Sequence, residues 1–356
     1  MRNLRAWRVI LLGLVLAGVP GTTVASAGTF VLSPPVNASG TSPFLGCPFG
    51  VDPGAPAPED VYDNTEVEPF VAVNPTNPLN LIGAYQQDRW TDGGSRGLIA
   101  SHSFDGGQTW AQNYAEFSKC SATPPTDSPF PRATDPWVSF DAAGKAYQIS
   151  LGIVSATGIF SGVEVATSAD GGATWSAPKR LITDNDPIFF NDKQSITGDP
   201  NQAGVAYATW IRGNLPGWDN ISFVGAIHSF AFRGLPMFSK TVDGGQTWSK
   251  PVSMVNGNIY MQGNQIAVLP DGTLVDIFAA LFKGSGVQPV NQAFWGVLRS
   301  TNGGKTWGAP IKIAKLNTAL LTNPDIPNPT SLDQTVRADD YLPDVAVDPS
   351  TGALYM

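Results

Sequence analysis

The chain has 356 residues, a formal net charge of −8, and 38 glycines and 30 prolines against only 14% charged residues. The acidic balance excludes a nucleic-acid partner, because a phosphate polyanion requires a basic patch. The Gly and Pro content, with no long 3.6-residue period beyond the N-terminus, excludes a helical bundle and fits a turn-rich β protein.

Residues 1–27 read as a signal peptide. Arg2, Arg5 and Arg8 form a basic start, Val9–Val19 is an apolar run of 11 residues, too short to span a bilayer, and Ala25-Ser26-Ala27 is a small-residue cleavage site. The mature protein is therefore expected to be exported, extracellular or periplasmic, with no later membrane span. Residues 28–65 are rich in Pro, Gly and Ser and are predicted to form an N-terminal arm. Cys47 and Cys120 are the two cysteines. An oxidising compartment favours one disulfide between them; two free buried thiols are the alternative.

From residue 66 onward a unit recurs. Glu68–Val73, Leu81–Gln86 and Gly97–Ser103 read as three short strands, and an eight-residue turn at 103–110 leads into a fourth. The next unit comprises Asp135–Phe140, Ala146–Leu151, Gly162–Ser168, the turn at 168–175 and the strand Thr174–Ile182. A third begins near Lys193–Thr197, continues with Val205–Ile211 and has its turn at 241–248. A fourth begins at Gln265–Leu269, continues with Leu274–Phe282 and has its turn at 300–307. A fifth starts at Asp344–Val347, and the sequence stops inside its second strand at Leu354-Tyr355-Met356.

The four turns share one pattern, (Ser/Thr)-x-(Asp/Asn)-Gly-Gly-x-Thr-Trp: SFDGGQTW, SADGGATW, TVDGGQTW and STNGGKTW. From Asp105 to Asp170 is 65 residues, from Asp170 to Asp243 is 73, and from Asp243 to Asn302 is 59, a loose period that marks one supersecondary unit repeated with insertions. Asp-Gly-Gly between extended segments is a hairpin signal. The acid accepts backbone N–H groups, the glycines supply positive φ, and the indole is sized to wedge between neighbouring sheets. Asn302 keeps the acceptor oxygen without the charge, so the position requires an acceptor rather than an anion, and these four residues read as structural. Four-stranded antiparallel units at this spacing predict an all-β fold, a β-propeller. About four and a half blades are present in residues 66–356. Since a propeller must protect its sheet edges, a C-terminally truncated chain is expected, with closure by the arm as the alternative.

The repeats, their place between third and fourth strands and the export signal resemble the Asp-box (BNR-repeat) proteins, in particular the sialidase superfamily of six-bladed propellers. Xyloglucan-degrading enzymes, sortilin-type receptors and photosystem assembly factors carry the same boxes. The resemblance implies an exo-glycosidase (sialidase-like) acting on glycans, with its site on the side of the disc opposite the boxes. It also implies arginines clamping a substrate carboxylate, a Tyr–Glu nucleophile pair and an Asp acid/base. Where the family places its first arginine, in a strand ending Ile-Pro, this chain has Val67 ahead of Glu68-Pro69. Arg89 or Arg96 is then expected to substitute from the adjacent loop, with Asp92 near the acid/base position.

The candidate catalytic residues are Asp92, Arg89 and Asp135, and the candidate substrate-binding residues are Arg96, Trp90, Glu68 and Trp218. The Gln86–Trp90 stretch admits two readings, a ligand-facing cluster or a solvated loop. Glu68 and Asp135 stand at equivalent strand starts, which suits either backbone anchoring around a channel or catalysis. The insertion Arg212–Met237, with Trp218, reads as a lid or a partner patch. Asp184, Asp186 and Asp192 could offer oxygen ligands to calcium, but their spacing matches no known loop. His102 and His228 lie in no zinc-spaced cluster, so no cofactor is expected. A non-catalytic glycan- or protein-binding scaffold is the alternative function.

Overall fold

The computed structural model describes residues 34–356 except 52–59, 92, 123–127, 129, 155–160, 187, 215–232, 258, 284–292, 317–320, 323–334 and 337–341. The predicted signal peptide lies outside the described residues, as do Asp92, Trp218 and residues 215–232 of the insertion. Residues 36–356 form one compact unit. Its regular structure among the described residues is entirely β.

The strands run as meanders, antiparallel within each; single pairs, Ser95 with Ala133 antiparallel and Gly234 with Tyr260 parallel, join them into a seven-stranded and an eight-stranded sheet. The first meander contains β1 (Val61–Val73), β2 (Leu81–Trp90) and β3 (Ser95–Ser103), edged by a bridge between His102 and Ala111. The second is β4 (Arg132–Phe140), β5 (Ala146–Ile153), β6 (Ser161–Ser168) and β7 (Lys179–Asp184). The third is β8 (Phe189–Gly198), β9 (Ala206–Asn214), β10 (Arg233–Thr241) and the short β11 (Val252–Ser253). The fourth is β12 (Ile259–Val268), β13 (Leu274–Lys283), β14 (Phe294–Ser300) and β15 (Ile311–Lys315). Two short hairpins follow, β16 (Leu321–Thr322) with β17 (Thr335–Val336) and β18 (Ala346–Val347) with β19 (Leu354–Tyr355). The first strands stand side by side: β1 contacts β4, β4 contacts β8, β8 contacts β12, and β12 contacts β18.

The core is layered between successive meanders. Ile82, Ala84 and Ala100 of the first pack against Val138, Phe140 and Ala146 of the second. Tyr147, Ile149 and Leu151 of the second pack against Ile196, Ala208 and Trp210 of the third. Tyr207, Ile211 and Phe238 of the third pack against Ile266, Leu274 and Phe278 of the fourth. Strand alternation explains the layering: odd positions of β5 face one neighbour, and even positions point the other way.

Each eight-residue turn folds alike. In the first, the Ser103 hydroxyl donates to Asp105 Oδ1 (2.8 Å) and accepts from Gly107 N–H (2.9 Å); Thr109 N–H and Oγ1 donate to the two Asp105 carboxylate oxygens at 2.9 and 2.6 Å. In the fourth, Asn302 Oδ1 accepts from Thr306 N–H (3.0 Å) while its Nδ2 donates to Thr306 Oγ1 (2.7 Å), so the amide keeps both contacts with the direction of the second bond reversed. Antiparallel pairing resumes one residue after each Trp, where the N–H of Ala111, Ser176, Ser249 and Gly308 donates to His102, Thr167, Lys240 and Arg299. The regular fourth strands begin later than the sequence suggests, at Lys179 in the second meander.

The second glycine of the later turns meets the preceding meander. A Cβ on Gly245 would lie 2.5 Å from Thr167 Cγ2, and one on Gly304 would lie 2.2 Å from Phe238 Cζ. Both glycines also have positive φ, 83° and 79°, so conformation and space each require glycine. The indoles follow: Trp175 packs on the layer between first and second meanders, Trp248 on the next, and Trp307 edge-on to Phe238 at 5.4 Å.

The arm is latched to the first meander. Cys47 and Cys120 form a disulfide. Ser42 Oγ donates to Asp88 Oδ2 (2.7 Å), and Phe44 is buried against Tyr85 and Ile99. β1 begins at Val61, within the stretch assigned to the arm.

Candidate functional site

The first strands carry one irregularity at the same place. In β1 the register slips between Val67 and Phe70, in β4 between Thr134 and Trp137, in β8 between Asp192 and Ser195, and in β12 between Gln262 and Gln265. Each slip is a β-bulge in which two residues oppose one. The leading residue has positive φ: Glu68 53°, Asp135 52°, Lys193 47° and Gly263 67°. Three of the four are charged side chains in a conformation that glycine, Asn and Asp occupy most readily, the kind of strained backbone that accumulates at functional sites. The bulges explain why the strands looked as though they began at Glu68 and Asp135. Each is followed by a proline, Pro69 or Pro136, which a ladder tolerates only where a hydrogen bond is already missing. The strands in fact run through these residues, so Glu68 and Asp135 lie within strands rather than at their starts.

The four bulge residues line a cavity of about 320 Å³, together with Phe70, Trp137, Ser195, Gln265 and the segment Leu342-Pro343-Asp344. A second cavity of about 350 Å³ shares Phe70, Trp137, Ser195, Gln265 and Asp344 with it, so the two form one cleft along the first strands. Phe70 and Trp137 stack with ring centroids 3.7 Å apart and planes 24° from parallel, giving the cleft an aromatic wall.

Within the cleft, Lys193 Nζ donates to Asp135 Oδ2 at 3.1 Å, and Thr134 Oγ1 donates to Asp135 Oδ1 at 3.1 Å. Gln194 Nε2 donates to the Asp135 carbonyl. Gln86 Nε2 donates to Glu68 Oε2 at 2.6 Å, and Gln86 Oε1 accepts from Arg89 Nη1 at 2.7 Å. The Glu68 and Asp135 carboxyls are near enough that each shifts the other's ionisation.

This arrangement drives the two acids apart. Glu68 opens onto the cleft, yet protein atoms crowd it on most sides. Burial, then the hydrogen bond and charge of Asp135, push its carboxyl up to about 7, with Lys193 and Arg89 opposing. Burial also works against an ionised Asp135, but its hydrogen bond with Glu68 and the Lys193 ammonium outweigh it and hold that carboxyl below its ordinary range. Lys193 is held protonated well above the usual ammonium value: burial opposes this, and Asp135, Asp192 and Glu68 overcome it. The result is one acid that keeps its proton until the pH nears 7, beside an ionised, cation-bound acid.

The remaining predicted residues are placed elsewhere. Arg89 sits behind Gln86 and is linked to Glu68 by hydrogen bonds through it. Trp90 is 4% exposed, under the arm: a Cβ on Gly50 would come within 2.8 Å of its indole nitrogen, and the Arg132 guanidinium lies 4.9 Å from its ring. Arg96 is 7% exposed and bonded to Asp63 (2.6 Å) and Asp88 (3.5 Å). The loop cluster is thus divided between the arm latch and a supporting position behind the cleft. Asp184 accepts from Arg212 Nε at 2.8 Å and Nη2 at 2.6 Å. Asp105, Asp170, Asp243 and Asn302 hold their turns.

The site residues that sequence reasoning left without a role are Lys193 and Gly263. The signal for Lys193 is its place six residues ahead of Asp199, as Glu68 stands six ahead of Asn74 and Asp135 six ahead of Asp141; Gly263 stands likewise six ahead of Leu269, hidden because glycine offers no side chain to notice.

No protein-family model matches the chain, and no curated protein matches it. Among solved structures, it is similar to a protein of unknown function from Dyadobacter fermentans (TM-score 0.46, 16% identity, covering 71% of this chain and 71% of that one). It is also similar to an α-L-arabinofuranosidase of Fusarium graminearum (TM-score 0.47, 15% identity, 71% and 68%). A third similarity is to a leech intramolecular trans-sialidase (TM-score 0.47, 13% identity, 71% and 51%), so the chain spans about half the length of that enzyme.

Proposed function

We propose that the protein is an exported, sialidase-like β-propeller whose cleft binds a glycan, and that Glu68 is the proton donor in glycoside hydrolysis there. The Asp-box turns and the meander order support the propeller reading. The observation that carries the chemistry is the Glu68–Asp135–Lys193 group, set on strained bulges at the mouth of a cleft with an aromatic wall.

Glycoside cleavage requires an acid that still holds its proton near neutral pH, and Glu68 does so. It would protonate the leaving oxygen as the bond to the anomeric carbon breaks. Water then adds to that carbon and its proton restores Glu68. Paired catalytic carboxyls that flank a glycosidic bond stand about 5–9.5 Å apart. Asp135 instead acts on the Glu68 carboxyl itself, contributing to its raised value, so it serves to keep Glu68 protonated and does not work from the opposite side of the ring. Lys193 in turn keeps Asp135 ionised, and Gln86, backed by Arg89, orients the Glu68 carboxyl.

Release of a fluorophore from a panel of 4-methylumbelliferyl glycosides, sialosides included, tests this. Turnover should fall as pH rises through about 7, where Glu68 loses its proton, and Glu68→Gln should lower kcat by about 10²–10⁴-fold. A Glu68→Gln variant as active as the parent overturns the assignment. A second reading, glycan binding without turnover, is favoured by Val67 in place of the family's arginine and by the burial of Arg96. Retained glycan binding with no release from any substrate selects it.

A further inference from the structure

We propose that the cleft takes an uncharged sugar and discriminates against acidic ones, sialic and uronic acids alike; this rests on reading the cleft as a carbohydrate site. The inference follows from where the charges are spent. Three carboxyl side chains line the cleft, those of Glu68, Asp135 and Asp344. The one cation among the described lining residues, Lys193, is committed to Asp135 at 3.1 Å.

The arginines that could clamp a ligand carboxylate are engaged elsewhere. Arg89 holds Gln86, and Arg96 is buried between Asp63 and Asp88. Turning either toward the cleft would strip a partner from a buried or half-buried polar group. An acidic sugar would therefore approach Asp344 and Asp135 with no cation among the described residues released to meet it, and like charges a few ångströms apart in a partly desolvated cleft repel strongly.

An uncharged ring meets what the cleft offers. Its C–H face suits the stacked Phe70–Trp137 wall, and its hydroxyls are donors to carboxyl oxygens at Glu68, Asp135 and Asp344. Gly263, the bulge without a side chain, leaves open the fourth position around the cleft.

The test is a glycan array probed with the full chain at neutral pH, comparing termini matched except for a carboxylate, such as galactose with galacturonic acid, and sialylated with desialylated chains. Binding to the neutral members should exceed binding to their acidic partners at least tenfold. Asp344→Lys, an exposed substitution, should narrow that ratio at least threefold, and raising the salt should narrow it too. Equal or tighter binding of the acidic partners overturns the inference alone, and so does a ratio that Asp344→Lys leaves unchanged. Binding to no glycan, or neutral binding that survives Gly263→Asn undiminished, overturns the carbohydrate reading of the cleft and the inference with it.

Discussion

The two repeated features of this molecule teach opposite lessons. At the turns, four copies keep both backbone and side chains: the hydroxyl, the acceptor, two glycines, threonine and tryptophan. At the bulges, four copies keep the backbone but vary the side chain, from Glu68 to Asp135, Lys193 and Gly263. A conserved geometry with fixed residues marks a part whose bonds close on themselves, as the Asp105 and Asn302 turns do. A conserved geometry with changing residues marks a display position, where the scaffold supplies direction and each unit supplies its own chemistry.

Substitutions that exchange the properties of the two ends should separate them. The largest effect is expected at Gly304→Ala, where a Cβ meets Phe238 at 2.2 Å and φ is 79°. Strain and overpacking together should lower stability by about 2–4 kcal/mol in urea unfolding. Gly263→Asn at a bulge should leave the urea midpoint nearly unmoved, because Asn tolerates positive φ and Glu68, Asp135 and Lys193 already adopt it, while glycan binding falls about tenfold or more as the open position fills. A midpoint loss as large as that of Gly304→Ala would break the distinction.

The two ends should also respond to pH with opposite sign. The Asp105 and Asp243 carboxyls are held down to about 2, first by the side-chain hydrogen bonds from Thr109 and Thr247. Their contribution is present above the ordinary carboxylate value and lost as pH falls toward 2. Glu68 is raised from 4.5 to about 7, so its contribution is present below 4.5 and lost as pH rises through 7. Melting curves from pH 2 to 9 should show the loss between about pH 4.5 and 7 reduced in Glu68→Gln and the acid loss reduced when both turn aspartates become Asn. The smallest effect is expected within one turn: Asp170→Asn should change the melting temperature less than Asp170→Ala, because the amide reproduces the bonds seen at Asn302.

This contrast accounts for what was legible in the residues. The turns announce themselves because their interactions span four positions or fewer, so composition and spacing suffice. The bulges do not. The slip at Glu68-Pro69 breaks the alternation that identifies a strand, and the proline invites a boundary where the strand continues. Glu68 and Asp135 were recognisable as equivalent, but the pairing of Asp135 with Lys193 joins residues 58 positions apart and depends on β4 lying beside β8. Trp90 and Arg96 have the composition of a ligand loop. Their actual partners, Gly50 and Asp63, come from the arm and the start of β1, and no local pattern encodes that contact.

The indoles that seal one meander against the previous one impose a direction in time. The apolar layer carried by Ile82, Ala84 and Ala100 is finished by Trp175 and Val138, residues made well after it. At about 5–20 residues per second, the roughly 65 residues between successive turns take about 3–13 s to synthesise, far longer than a hairpin needs to form. Each new sheet therefore waits, one side uncovered, until its successor is made. During that interval the nascent chain depends on whatever shields its exposed flank, and the unit most recently translated is always the one most open to misassembly.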